Sequence, residues 1–277
     1  MNFLNNNITL CDIYTNSVTQ YGERKAFSTI NKEEITFKQF GGKVEKLVQI
    51  FDEAGLKRKD KIAILGGNMP NWAVSFFAIT TSARIAVPIL PDFTAFEIVN
   101  IMEHSDCKAI VISSKLEYKL PSHLTDKLSL IIKMDNMEVI KAPEDAKAYF
   151  RDEPNPSDIA TIIYTSGTSG TSKGVMLTHS NLVAQTKMSG ELFPINSEDV
   201  FLSILPLSHT YECSIGMLFP FTHGASVVYL DGVPTPSLLM PALKTVRPTI
   251  MLSVPLIVEK IYKLKIRPIF TKNLVLR

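Results

Sequence analysis

The sequence has little cysteine, little tryptophan and no strong excess of charge of either sign. Its 277 residues include 3 cysteines and 1 tryptophan, and 29 basic side chains oppose 27 acidic ones, for a net charge of +2. The cysteines are an odd number without a C-x-x-C pair, which disfavours a disulfide framework or a thiolate metal site. A balanced charge disfavours a nucleic-acid-binding face. We therefore expect a protein of a reducing compartment, the cytoplasm, with no nucleic-acid partner.

Targeting signals and long apolar runs are also scarce. The N-terminus lacks the basic start and apolar stretch of a secretory signal. The apolar stretches around 72–83 and 215–230 are interrupted by polar residues, Gly or Pro before they reach the ~20 residues that span a bilayer. We expect no membrane span, and peripheral contact with a membrane stays open. The composition, 45% hydrophobic and 20% charged, is typical of a globular protein.

Strands and helices alternate in the first half of the chain. Capping boxes at Thr36 with Gln39 and at Thr94 with Glu97 predict helix starts, and Gly55 predicts a helix end. The apolar pattern predicts the following elements in order: strand 61–65, helix 70–83, strand 85–89, helix 94–104 and strand 108–113. These strands are apolar without alternation, which is typical of a parallel sheet covered on both faces.

A charged, proline-rich stretch over 143–156 separates this half from a second one with the same alternation. A helix is predicted to begin near Ser180, which is expected to cap it. The predicted strands are 159–164, 175–177, 200–205, 226–230 and 249–253. We expect an α/β fold of two similar, mostly parallel sheets flanked by helices, with subdomains 1–155 and 156–277.

The strongest chemical pattern is the loop over 165–174, which reads T-S-G-T-S-G-T-S-K-G after an apolar strand. Glycines let backbone N–H groups approach a phosphate, hydroxyls donate hydrogen bonds, and Lys173 supplies a compact charge. The loop predicts a cradle for a phosphate chain. It is not a Walker A loop, because Ser172 rather than Gly precedes the lysine, and it is too short for a nucleophile elbow. A flexible linker is the alternative interpretation.

Residues 164–175, Y-T-S-G-T-S-G-T-S-K-G-V, resemble the phosphate-binding signature of the adenylate-forming enzymes, and of acyl-CoA synthetases in particular. The segments 176–181, M-L-T-H-S-N, and 205–212, L-P-L-S-H-T-Y-E, are similar to segments of the long-chain fatty acid group, and 61–72 also resembles the family. The resemblance implies a ligase that uses ATP, Mg²⁺ and a fatty acid carboxylate to form an acyl-adenylate. Coenzyme A then takes the acyl group as a thioester.

The resemblance also implies roles for single residues. Thr165 would hydrogen-bond a phosphate or ligate Mg²⁺, and Lys173 would neutralise the departing pyrophosphate as a catalytic residue. Wrapping of the β- and γ-phosphates is implied for five residues: Ser166, Gly167, Thr168, Ser169 and Gly170.

A second catalytic role is implied for His209, at the entrance of the acyl pocket with Tyr211 and Glu212 beside it. The alternative is structural: Ser208 caps a helix that runs towards Phe219, and the acid in its first turn suits the helix dipole. For His179 we expect a hydrogen-bonded side chain next to a turn. No role is assigned to three other histidines, His104, His123 and His223, which show no metal-ligand spacing.

The sequence departs from the family in two respects. Ser172 stands where the family often has proline, which predicts a less rigid loop. The family also continues for about as many residues again, including a lid domain with a catalytic lysine, so we expect an amino-terminal part that is inactive alone. Two alternatives stay open: a nucleotide-binding module without catalysis, or a ligase that passes the acyl group to a carrier protein. The basic, apolar stretch from Lys260 is either a membrane-surface helix or a helix without its packing partner.

Overall fold

Strands and helices alternate through the chain, as the sequence predicts. The computed structural model describes residues 7–32, 34–149, 152–165 and 173–268. The strands are β1 Lys25–Thr29, β2 Glu34–Thr36, β3 Lys61–Leu65, β4 Ile85–Ile89, β5 Cys107–Ile112, β6 Leu130–Lys133, β7 Glu138–Lys141, β8 Ile159–Thr165, β9 Lys173–Thr178, β10 Val200–Ser203 and β11 Ser226–Tyr229. The α-helices are α1 Leu10–Gln20, α2 Phe37–Glu53, α3 Pro70–Thr81, α4 Ala95–Ser105, α5 Ser122–Lys127, α6 His179–Leu192, α7 Phe219–Thr222, α8 Pro236–Val246 and α9 Pro255–Ile261. Shorter helical segments are the 3₁₀ turn Ser114–Lys119 and the π-helical segments Glu212–Leu218 and Tyr262–Ile266.

The described strands form two sheets, and both are mostly parallel. One is seven-stranded, in the order β7-β6-β5-β3-β4-β8-β9, and the other is four-stranded, in the order β10-β11-β1-β2. Three pairs are antiparallel, β6 with β7, β8 with β9 and β1 with β2, and each of them lies at the edge of its sheet. The expected fold class, two mostly parallel sheets flanked by helices, is confirmed.

Three apolar clusters show how the layers stack. Alternate residues of β3 point to opposite faces, so Ile62 and Ile64 belong to a central cluster with α1, α2 and α3, whereas Ala63 packs against α4 and α5 on the outer face. The central cluster also includes Phe27 of the four-stranded sheet, and the other face of that sheet packs on α8. Helices α1, α2 and α3 therefore lie between the two sheets, and α6 and α7 also contribute to this cluster. Burial on both faces explains why the strands lack an alternating pattern.

Aromatic rings fill the space between the sheets. Phe221 of α7 lies with its ring centroid 4.6 Å from that of Phe77 and 5.3 Å from that of Phe40, and Phe27 stacks on Tyr229 at 5.9 Å. All five side chains are buried. Two of these pairs are tilted and the third is stacked, and favourable aromatic pairs each add about 0.5–1.5 kcal/mol beyond the burial of their area.

The local predictions hold for most elements, but one helix end and one helix cap differ. Both predicted capping boxes are present. The helix predicted to reach residue 83 ends at Thr81, and Ala83 has a φ of 55°. Thr178 rather than Ser180 caps α6, because its hydroxyl accepts from the N–H of Asn181, which lies three residues further on.

The predicted strand over 249–253 is absent. Within the described ranges only Ile250 bridges to a strand, at Phe201 of β10. Pro255 begins α9 five residues later, so the extended stretch ends before a ladder can form. No helix of the described residues is long and apolar enough to cross a membrane.

The sheets do not follow the predicted boundary at residue 155. The hairpin of β8 and β9 completes the seven-stranded sheet of the first half, and β1 and β2 pair with β11 in the other sheet. Each sheet therefore takes strands from both sides of the boundary. The proline-rich stretch is a surface connection, and Arg58 holds it through the carbonyl oxygen of Glu153 and the carboxylate of Asp158. The division into subdomains 1–155 and 156–277 stays a prediction.

Candidate active site

Two of the predicted site residues face each other at the edge of the larger sheet. Thr165 ends β8, Lys173 begins β9, and the two are register partners in the antiparallel hairpin. β8 runs parallel to β4, and the hydroxyl of Thr161 anchors it by donating to the carbonyl oxygen of Ala86 at 2.9 Å. Thr165 and Lys173 are exposed at the carboxyl end of the strand. Open α/β sheets bind their ligands at this edge.

The residues between them lie outside the described part of the chain. This applies to the predicted phosphate contacts, which are Ser166, Gly167, Thr168, Ser169 and Gly170. Their roles stay predictions, as do those of Thr165 and Lys173. The structure describes the residues on either side, Thr165 at the end of β8 and Lys173 at the start of β9.

At the same carboxyl edge, the loop after β3 is hydrogen-bonded to the loop after β10 of the other sheet. Asn68 follows β3, and its side-chain amide donates to the carbonyl oxygen of Leu205 at 2.7 Å and accepts from the N–H of Leu207 at 2.9 Å. Leu205 and Leu207 follow β10 in the other sheet. The loop that leads to His209 is therefore held against the end of β3. Sequence analysis did not single out Asn68, since a half-buried amide after a strand carries no chemical pattern of its own.

His209 lies at the start of the helix that follows this loop. Its N–H donates to the carbonyl oxygen of Pro206 at 3.0 Å, and its own carbonyl oxygen accepts from the N–H of Cys213 at 2.9 Å. The side chain is exposed, and among the described residues no hydrogen bond joins it to Thr165 or Lys173. The main chain thus has the helix-start geometry of the structural alternative. A role near the acyl carboxylate stays a prediction.

Glu212 lies in a first helical turn, as the structural alternative expects, but its side chain is buried. It is 1% exposed, and the Ser203 hydroxyl lies near its carboxyl without the geometry of a hydrogen bond. Burial raises the pKa of its carboxyl to about 8, so the group is mostly neutral at neutral pH. It lies in a π-helical segment over Gly216, where an added Cβ would come within 2.6 Å of the carboxyl carbon. The hydroxyl of Ser208 accepts no capping hydrogen bond, since it has no partner within the described ranges.

Three of the described histidines have partners, and for His223 the partner is the carbonyl oxygen of Phe219, 3.0 Å from Nδ1. Nδ1 of His179 accepts from the N–H of Leu10 at 3.2 Å, which matches the expected hydrogen-bonded side chain, although the residue is fully buried. Burial lowers its pKa to about 4. His104, to which the sequence assigns no role, lies 2.7 Å from the hydroxyl of Tyr164, the residue before Thr165. Only the fold brings these two residues together.

The described residues contain no group of three His, Cys, Asp or Glu side chains that could hold a metal ion. The role of Thr165 as a ligand of Mg²⁺ stays a prediction.

Comparison with known proteins gives the family context. The sequence matches the family of AMP-binding enzymes over residues 14–274. It is 28% identical over 284 residues to the chloroplastic long-chain-fatty-acid–[acyl-carrier-protein] ligase AEE15 of Arabidopsis thaliana, covering 91% of this chain and 38% of that protein. It is also 28% identical over 258 residues to long-chain-fatty-acid–CoA ligase 5 of Rattus norvegicus, covering 82% of this chain and 37% of that protein. The chain thus spans less than two fifths of the length of these curated relatives.

Solved structures share the fold. The long-chain-fatty-acid-CoA ligase FadD1 of Archaeoglobus fulgidus superposes with a TM-score of 0.80 at 22% identity, over 92% of this chain and 53% of that one. The o-succinylbenzoate coenzyme A synthetase of Bacillus subtilis, solved with ATP and magnesium ion, superposes with a TM-score of 0.76 at 20% identity, over 90% and 65%. At these identities the likeness shows the fold, which agrees with the layers described above.

Proposed function

Because the chain belongs to the family of AMP-binding enzymes, we propose that it holds the ATP phosphates in an ATP-dependent ligase that activates a fatty acid carboxylate. The observation that carries the proposal is the hairpin that brings Thr165 and Lys173 together at the carboxyl edge of the larger sheet. The sequence between them is composed of serine, threonine and glycine. The names of the relatives, which are ligases of long-chain fatty acids, support the substrate class.

The proposed reaction has two steps. A carboxylate oxygen of the fatty acid attacks the α-phosphorus of ATP, the bond from that phosphorus to the oxygen bridging to the β-phosphate breaks, and pyrophosphate leaves. The thiol of an acceptor then attacks the acyl carbon and displaces AMP. Both steps need positioned charge more than covalent chemistry by the protein, because negative charge gathers on phosphate oxygens during the first.

Each proposed residue has a role set by its chemistry. The ammonium of Lys173 neutralises the pyrophosphate as it departs, and the hydroxyl of Thr165 donates to a phosphate oxygen or completes the shell of Mg²⁺. Backbone N–H groups of Ser166–Gly170 wrap the β- and γ-phosphates. His209, on the loop that Asn68 holds, is proposed to face the carboxylate where it meets the nucleotide.

The acceptor of the acyl group is a separate question. Coenzyme A is the acceptor named for the rat relative, and an acyl carrier protein is named for the Arabidopsis relative. Supplying ATP, a fatty acid and either coenzyme A or acyl carrier protein, and measuring which thiol becomes acylated, separates the two. A chain that binds ATP and acylates neither thiol fits both the nucleotide-binding module and the amino-terminal part that is expected to be inactive alone. The compartment also stays a prediction, since the relatives include chloroplastic and peroxisomal proteins.

Calorimetric titration with ATP and Mg²⁺ tests the central claim. We expect Lys173→Ala to weaken binding by about 1–3 kcal/mol, the range of a charge-assisted hydrogen bond. Lys43→Ala is the matched control, because Lys43 is an exposed lysine of α2 and its loss changes the net charge equally. If the two variants bind ATP with equal affinity, Lys173 does not bind phosphate and the loop only connects the two strands.

A further inference from the structure

The candidate site contains a contact that the proposed reaction leaves unexplained. Nδ1 of His104 lies 2.7 Å from the hydroxyl of Tyr164, and the two rings meet edge to face at 5.8 Å and 89°. His104 is on the last turn of α4 and its side chain is exposed, whereas Tyr164 is buried in β8. Sixty positions separate the two residues in the sequence. The contact therefore ties a helix of the outer layer to the strand that leads into the predicted phosphate loop.

Tyr164 in turn covers the other strand of the hairpin. Its register partner in β9 is Gly174, and a Cβ added there would lie 3.2 Å from the ring carbon that carries the hydroxyl. The next pair in the register is Thr165 with Lys173. The tyrosine ring thus packs on the main chain directly beside the two residues proposed to bind phosphate. A glycine at 174 allows this close approach.

The hydrogen bond gives the ring one orientation. A buried tyrosine hydroxyl without a partner is costly, so the side chain prefers the rotamer in which its oxygen reaches the end of α4, where Nδ1 of His104 lies at 2.7 Å and the Ser105 hydroxyl is a second neighbour. That rotamer is the one that lies over Gly174. Without the histidine, the ring gains other orientations, and the start of β9 loses a fixed surface to pack on.

We propose that His104 is a positioning residue for nucleotide binding: by fixing the Tyr164 ring over Gly174, it sets the separation of Thr165 and Lys173. The inference rests on the proposed function, because it assigns His104 a role in the binding of ATP by those two residues. His104 itself lies on the far side of Tyr164 and is not expected to touch the nucleotide.

Four variants test this proposal. His104→Ala removes the hydrogen bond, His104→Asn retains an acceptor and donor at the position of Nδ1, and Tyr164→Phe removes the hydroxyl. His123→Ala is the matched control, because His123 is an exposed histidine on the neighbouring helix α5. Because His104 is exposed, its replacement is expected to leave the thermal unfolding midpoint close to that of the control.

The first measurement needs no ligand. Amide hydrogen exchange in peptides covering β8 and β9 should be about fivefold faster in His104→Ala than in His123→Ala, and His104→Asn should restore most of the protection. Equal exchange in the three proteins would overturn the proposal. A faster exchange spread over the whole chain would also overturn it, since that result describes a general loss of stability.

The second measurement is calorimetric titration with ATP and Mg²⁺. We expect about fivefold weaker binding for His104→Ala, recovery in His104→Asn, and no further loss when His104→Ala is combined with Tyr164→Phe, because both changes remove the same bond. If Lys173→Ala weakens binding and His104→Ala does not, this inference fails while the proposed function stands. If the unaltered chain binds no ATP, the proposed function fails, and with it the nucleotide role of His104.

Discussion

The side chain of Asn68, after β3 of one sheet, hydrogen-bonds the main chain of Leu207, after β10 of the other sheet. The N–H of Leu207 donates to Oδ1 of Asn68 at 2.9 Å, while Nδ2 of the same amide donates to the carbonyl oxygen of Leu205 at 2.7 Å and to the hydroxyl of Ser203 at 3.1 Å. A single side chain therefore satisfies a donor and two acceptors at the end of β10 and on the loop after it. This bridge fixes where His209 stands relative to the ends of the strands in the larger sheet.

Replacing Asn68 with aspartate is expected to destabilise the chain. The carboxylate still accepts from Leu207, but it cannot donate to Leu205 or Ser203, and it faces a carbonyl oxygen instead. We expect a loss of about 1–3 kcal/mol in the free energy of unfolding, measured by urea denaturation. Asn16→Asp is the control, since Asn16 is exposed on α1 and gains the same charge. A loss no larger than that of the control would show that the bridge contributes nothing to stability.

Glu212 should make the chain less stable as the pH rises. Its pKa is about 8 in the folded chain and near 4.5 when the carboxyl is exposed, so between these values the folded state holds a proton that the unfolded state releases. Stability then falls with rising pH by about 1.4 kcal/mol per unit across this window and levels off above it.

Comparison with Glu212→Gln isolates this effect. The amide is uncharged at every pH, so the variant should match the unaltered chain near pH 5 and be more stable by several kcal/mol near pH 8 in urea denaturation. Glu191→Gln, at an exposed position of α6, is the control and should show no such divergence. Parallel pH profiles for Glu212→Gln and the unaltered chain would mean that the carboxyl is ionised in the folded state.

Local sequence patterns predict the elements of this fold better than their arrangement. The capping boxes at Thr36 and Thr94 involve residues three apart, and both are present. The apolar strands also follow from short runs of residues. The place of β8 and β9 in the sheet of the first half depends on pairing with β4, more than seventy residues earlier, and no local pattern encodes such a contact.

The candidate site divides in the same way. The composition of the loop between Thr165 and Lys173 is a local pattern, and it led to the proposed phosphate contacts. The burial of Glu212 was not predicted, because the residues around it have the pattern of an ordinary helix start, and its environment comes from the packing of the helix on the smaller sheet. The pairing of His104 with Tyr164 likewise depends on the packing of α4 on the larger sheet.

His179 should make the chain more stable as the pH rises through the acidic range, which is opposite to the effect of Glu212. Burial lowers its pKa to about 4 from an ordinary value of 6.5, so between these values the unfolded state binds a proton that the folded state excludes. The stabilising contribution is complete above pH 6.5 and is lost as the pH falls towards 4, by about 3 kcal/mol in all. This slope opposes that of Glu212 between pH 4.5 and 6.5, so each must be measured against its own variant.

His179→Asn is the appropriate variant, because its side-chain oxygen retains an acceptor for the N–H of Leu10. We expect it to be less stable than the unaltered chain at pH 7, where it leaves a small cavity, and the difference to shrink towards pH 4.5. His123→Asn, at an exposed site, should leave the pH profile unchanged. A constant difference between the His179 variant and the unaltered chain would show that burial does not keep this imidazole neutral.

Arg84 and Asp52 form an ion pair. Replacing Asp52 alone should lower the free energy of unfolding more than replacing both residues. The guanidinium is fully buried, donates to Oδ1 of Asp52 at 2.6 Å and to the carbonyl oxygen of Leu56, and lies 5.6 Å from the centre of the Phe51 ring. Its Nη1 atom has no partner in the part of the chain that the structure describes. Desolvation of the guanidinium is the largest effect on its pKa, which burial lowers.

Asp52→Ala leaves this buried cation without its carboxylate, and we expect a loss of about 3 kcal/mol in urea denaturation. Adding Arg84→Met should restore part of that stability, because an apolar side chain of similar length fills the site without a charge. Asp126→Ala is the control, since Asp126 is an exposed acid of α5. A double variant less stable than Asp52→Ala would mean that the contacts of Arg84 with Leu56 and Phe51 outweigh the cost of burying its charge.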